Sequence, residues 1–230
     1  MKVIKLFVSF LLLPALSSLT VSLYDVWVSH ADPLLSRHLD AYTLPLSFLV
    51  GLLLLLVLPR PMRLYVLGHE LTHALWGLVM GAKIGRIQVG RTGGSVTLSK
   101  SNFLITLAPY FFPLYTFLII VLYYLCGLFF DLTPFHQLYL ICIGLSYAFH
   151  LFLTIEVLTH RQSDVTEHGY IFSYTIILMF NVVSLLIWEI GTGPMTFRLF
   201  IPQVQTLALA HYAYAYDLLY QFYSFIMESV

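Results

Sequence analysis

The chain has 230 residues, of which 60% are hydrophobic and only 10% charged, with a mean hydropathy of +0.88. Soluble domains carry about a quarter charged residues, so this composition excludes an ordinary soluble domain and points to a single integral membrane domain over residues 1–230. The formal net charge is zero, which offers no basic surface for nucleic acid.

The first apolar stretch, residues 3–24, is long enough to cross a bilayer. Lys2 and Lys5 lie at its start, and Ala15-Leu16-Ser17 has the small residues of a cleavage site. The apolar run continues through Leu23, so the expectation is a retained helix. A polar loop with Asp25, His30, Asp32, Arg37, His38 and Asp40 follows, and its spacing matches no ligand pattern. A second span is expected over 44–58. It stops at Pro59-Arg60-Pro61, where proline removes backbone donors and restricts its neighbour.

Residues 62–80 read as a further helix with Gly81 as its stop. It carries His69-Glu70-Leu71-Thr72-His73. Two histidines four apart on a helix project from one face, one turn above each other, which suits two nitrogen ligands on one Zn²⁺. The glutamate between them is placed to deprotonate a water that the metal activates. Ionisable groups at membrane depth are costly and therefore candidates for function. Gly77 and Gly81 on the same helix form a small-residue pair of the kind that admits a close neighbouring helix.

Residues 84–99 do not look helical. Apolar Ile87, Val89, Val96 and Leu98 alternate with polar neighbours, and Gly93-Gly94 offers a tight turn, which together predict a β-hairpin. A hairpin edge has unpaired backbone groups that can pair with an extended peptide. This makes Gly93, Gly94 and Val96 candidate substrate-binding residues.

The apolar segment 103–130 is interrupted by Pro109 and Pro113, which predict a kink or partial break. A span over 137–158 carries His150 between Ser146 and Thr154. That histidine reads either as a donor behind a metal ligand or an oxyanion stabiliser, or as a buried histidine satisfied by its hydroxyl neighbours. Glu156 and His160, one turn apart, are expected to pair. A polar link over 160–168 leads to a span over 169–190, and the Tyr-rich segment 203–227 is either a last span or an interfacial helix. The two cysteines, Cys126 and Cys142, fall in apolar stretches and read as small buried hydrophobes. The expected fold is thus all-α and polytopic, with about six transmembrane helices and a small β-hairpin. Its catalytic core is placed at 62–190. Loop Lys and Arg residues nearly balance and assign no orientation.

Three protein ligands and a water make the usual catalytic zinc site, so a third ligand must come from outside the motif helix. Asp164 is preferred because a helix start beside it helps to hold a carboxylate ionised. Glu167 and His168 remain alternatives. A His-Glu-x-x-His helix in a polytopic chain, a Gly-containing hairpin and a remote Asp beside a later helix resemble the site-2 protease family of intramembrane zinc metalloproteases. The resemblance runs from about Leu64 to Asn181 and suggests a compact, bacterial-type member without an inserted soluble domain. It implies one Zn²⁺ held by His69, His73 and Asp164, with Glu70 as general base. It also implies an extended substrate strand on the hairpin, with Asn181 likened to the polar residue that holds substrate. The family's remote motif has Asp followed directly by Gly, whereas Asp164 precedes Val165 and the next glycine is Gly169.

The function implied is zinc-dependent cleavage of a membrane-protein substrate within or beside the lipid bilayer of a bacterial cytoplasmic membrane. The alternatives are an inactive relative that binds membrane segments and, less favoured, a metal- or ion-handling transporter. The substrate's identity and the oligomeric state have no sequence signal.

Overall fold

The computed structural model describes residues 2–30, 40–90, 93–192 and 197–228. Asp32, Arg37 and His38 of the polar loop lie outside the described residues. The chain divides into two compact units, Met1–Pro33 with His168–Val230, and Leu34–Glu167.

The first unit consists of three long helices, α1 (Lys2–His30), α8 (Tyr170–Thr192) and α9 (Phe197–Glu228). Helix α1 packs along both α8 and α9. Buried Leu186 and Phe200 form a small core with Leu19, Leu23, Val182 and Val204. The Tyr-rich terminal segment is one helix with largely exposed aromatics, and the Tyr212 hydroxyl donates to the Leu11 carbonyl at 2.7 Å.

The second unit holds the motif. Helix α2 (Asp40–Val57) lies along α6 (His136–Leu158). Small residues permit the close approach: Gly51 faces Ala148, and Gly144 faces Ser47. After Pro61, α3 (Met62–Val79) packs Tyr65 and Val66 against Leu153 of α6, with Phe149, Phe152 and Val157 around them. Its end is marked by Gly81 at φ 73°, the left-handed conformation that favours glycine.

The hairpin then forms from β1 (Ile84–Val89) and β2 (Gly94–Leu98), antiparallel, with Ile87 opposite Val96 and Val89 opposite Gly94. A register irregularity lies between Ile84 and Ile87. Gly94 is therefore part of the ladder, and the ladder's end is closed by Gly90 N–H donating to the Gly93 carbonyl at 2.9 Å. Gly77 of α3 and Gly81 just beyond it meet the segment that follows them, not the expected neighbouring helix. A side chain on Gly77 would touch Leu98 of β2, and one on Gly81 would touch Lys100.

Asn102 caps the next helix, accepting from the N–H groups of Leu104 and Ile105 at 2.9 and 3.0 Å. Helix α4 (Phe103–Leu107), a 3-10 turn (Ala108–Tyr110) and α5 (Leu114–Gly127) follow, the two arms bent by 83° at the predicted Pro109–Pro113 break. Short α7 (Ser163–His168) comes after α6.

The all-α character and the hairpin match expectation, but the count of about six transmembrane helices does not. Among the described residues, three helices are long and apolar enough to cross a membrane: Val3–Asp25, Thr133–Leu158 and Tyr170–Ile187. There are four if the bent pair counts as one span. The physical reasons are local. The apolar part of α2, Tyr42–Val57, reaches about 24 Å at 1.5 Å per residue, short of a hydrocarbon core about 30 Å thick. Helix α3 has His69, Glu70, Thr72 and His73 in its middle, which lower its hydropathy below that of a span.

Candidate metal centre

His69 and His73 lie on α3 as expected, and α7 brings Asp164 to them. The ligating atoms of these three residues all lie within 4.8 Å of one another. His69 Nε2 is 3.3 Å and His73 Nε2 3.5 Å from Asp164 Oδ2. This donor set, two imidazole nitrogens and one carboxylate, suits a divalent metal such as zinc. Metal–ligand bonds of about 2.0–2.2 Å in a tetrahedron set ligand atoms about 3.3–3.5 Å apart, so both His–Asp separations already fit. The residues are able to hold a divalent metal.

The supports of this cluster come from the broken helix. The Ile105 carbonyl, in α4, lies 2.8 Å from His73 Nδ1. A carbonyl only accepts, so Nδ1 carries the proton and the Nε2 lone pair is free for a metal. Tyr110, wholly buried after Pro109, donates its hydroxyl to Asp164 Oδ2 at 2.9 Å. Burial alone would push the Asp164 carboxyl up, but its interactions with the His69 and His73 rings outweigh it and hold the group well below the usual carboxylate range. It stays an anionic ligand.

Neither support was read from the sequence. The signal available for Tyr110 was a hydroxyl placed directly after a proline break in an apolar segment. Backbone there loses its helical partners, and side chains are turned inward. The Ile105 carbonyl left no signal, since any residue supplies one.

Glu70 follows His69 on the same helix and is buried to 5% exposure. A cleft of about 690 Å³ opens beside it, lined by His69, Glu70, His73 and Asp164 and by Gly93, Gly94 and Val96 of the hairpin. The hairpin comes very close here. A Cβ on Gly94 would stand 2.7 Å from Glu70 Cγ and 2.8 Å from its Oε1, so only glycine lets β2 pass over the glutamate.

The remaining candidates separate clearly. Glu167 lines the cleft but is outside the three-residue cluster. His168 belongs to the other unit, where its Nδ1 accepts from Lys5 Nζ at 2.6 Å. Asn181 is also in that unit, and its amide donates to the Ile177 carbonyl one turn back. Glu156 pairs with Arg60, not with the His160 ring as expected, because the Pro59–Pro61 link brings the guanidinium to it. His160 Nδ1 instead lies 3.2 Å from the Glu156 backbone carbonyl.

Ser146 and Thr154, the hydroxyls flanking His150, face Thr116 and Tyr65. Comparison of the chain with models of protein families, with curated proteins and with solved structures finds no match.

Proposed function

We propose that this chain is a zinc-dependent endopeptidase of the membrane, similar in design to the site-2 proteases, which cleaves a transmembrane or membrane-adjacent segment of a protein substrate. The observation that carries the reading is the convergence of His69, His73 and Asp164, with Glu70 beside them, on a cleft whose wall includes a β-hairpin.

In this reading His69 Nε2, His73 Nε2 and the Asp164 carboxylate hold Zn²⁺. The ion supplies Lewis acidity, polarising the scissile carbonyl and bringing the pKa of a water towards about 7. Glu70 removes a proton from the attacking water and delivers it to the leaving amine. Tyr110 and the Ile105 carbonyl fix the orientations of Asp164 and His73, so that the site is ordered before substrate arrives. A substrate helix must unwind to be cut, because its carbonyls are otherwise hydrogen-bonded internally. The backbone around Gly93, Gly94 and Val96 offers replacement partners to the extended segment. The long apolar helix Thr133–Leu158, in the same unit as the site, anchors it at the bilayer.

The test is zinc content and cleavage measured together on purified protein, with a single-pass membrane protein as substrate. Wild type is expected to hold one zinc and cleave, while His69→Ala loses both. Cleavage that persists in zinc-free protein would refute the reading.

A further inference from the structure

A second and much smaller cavity is lined by His69 but not by Asp164. Its volume is about 20 Å³, and its lining includes His69, Thr72, Tyr115 and His150. About 10–15 Å³ is enough for one water, provided two to four polar partners are present. Both histidines bring a buried ring nitrogen with no hydrogen-bond partner among the described residues, Nδ1 of His69 and Nε2 of His150. Thr72 adds a hydroxyl that donates to the Gly68 carbonyl at 2.7 Å and keeps its lone pairs for accepting. An imidazole nitrogen buried without a partner is costly, and here the two residues that carry such nitrogens both line one water-sized space.

We infer that His150 is a positioning residue for the metal ligand His69, acting through a single buried water that bridges His150 Nε2 and His69 Nδ1. The inference rests on the metal-centre reading above. Ligation through Nε2 requires the proton of His69 on Nδ1, and that N–H needs an acceptor. The water accepts it and donates onward to the neutral His150 ring. The same water can reverse its orientation when His69 instead gives its Nε2 proton to Asp164, so the bridge serves the site with and without metal. His73 has the Ile105 carbonyl for this purpose, whereas His69 has no protein acceptor among the described residues.

The test is zinc affinity, measured by competition with a chromophoric chelator on the purified full chain, for wild type, His150→Phe and His150→Gln. His150→Phe keeps the volume and removes the acceptor, and should weaken zinc binding about 10- to 100-fold. His150→Gln, whose amide can still meet the water, should recover most of the loss. The visible spectrum of the Co²⁺ form should shift in His150→Phe and return towards wild type in His150→Gln. Wild-type affinity in His150→Phe would overturn the inference and leave the metal centre standing, and so would equal losses in the two variants. If His150→Phe fails to fold, His150→Leu replaces it as the variant without an acceptor. A loss of affinity in His150→Leu that His150→Gln largely recovers supports the bridge, and wild-type affinity in His150→Leu refutes it. Absence of zinc binding by wild type would overturn the metal centre and this inference together.

Discussion

His69 and Asp164 stand 95 positions apart in the chain, yet Nε2 of one lies 3.3 Å from Oδ2 of the other. The separation is that of two ligands on one tetrahedral metal. It is produced by two features, a motif helix packed on α6 and a reversal after Leu158 that returns α7 to it.

Asp164→Asn keeps the shape of the side chain and removes its charge. An amide oxygen is a weaker ligand for zinc than a carboxylate, so affinity should drop by at least about 10- to 100-fold. Zinc stoichiometry after dialysis against a mild chelator measures this. Full retention of zinc would remove Asp164 as a ligand and direct attention to Glu167.

Tyr110→Phe deletes one hydroxyl from a fully buried side chain. The aromatic packing is preserved, so thermal stability in detergent should change by only about 1 kcal/mol. Zinc affinity should fall about tenfold, because the carboxylate loses the donor that orients it. A large loss of stability with unchanged zinc affinity would make Tyr110 a packing residue only.

How much of this was legible in the sequence can be read from these residues. His69, Glu70 and His73 announce themselves because a helix turns fixed spacing into a shared face. Asp164 could be preferred over its neighbours but not secured, because the reversal after α6 has no periodic signature. The hairpin was visible through its alternation, although Gly94 proved to be a paired residue with a packing role and not the turn. The span count failed where hydropathy was averaged over segments too short, too polar or too sharply bent to cross.

Gly94→Ala places a methyl group within 2.8 Å of the Glu70 carboxylate and 2.7 Å of the Gln88 carbonyl. Backbone cannot yield easily, so either Glu70 or the strand must move. Displacing a catalytic group by about 1 Å can cost 10²-fold in rate. Cleavage should therefore fall by about that factor while zinc content stays at the wild-type level. Unchanged cleavage would show that the hairpin's approach to Glu70 has no bearing on turnover.

The central claim is that Glu70 works as a base beside a metal held by other residues. The most direct measurement is cleavage of a single-pass membrane substrate by Glu70→Gln, with its zinc content determined on the same preparation. The account predicts one zinc per chain, as in wild type, and a loss of cleavage of about 10²- to 10⁴-fold, the contribution expected of a general acid–base. Cleavage at the wild-type rate by the zinc-loaded Gln variant would contradict it.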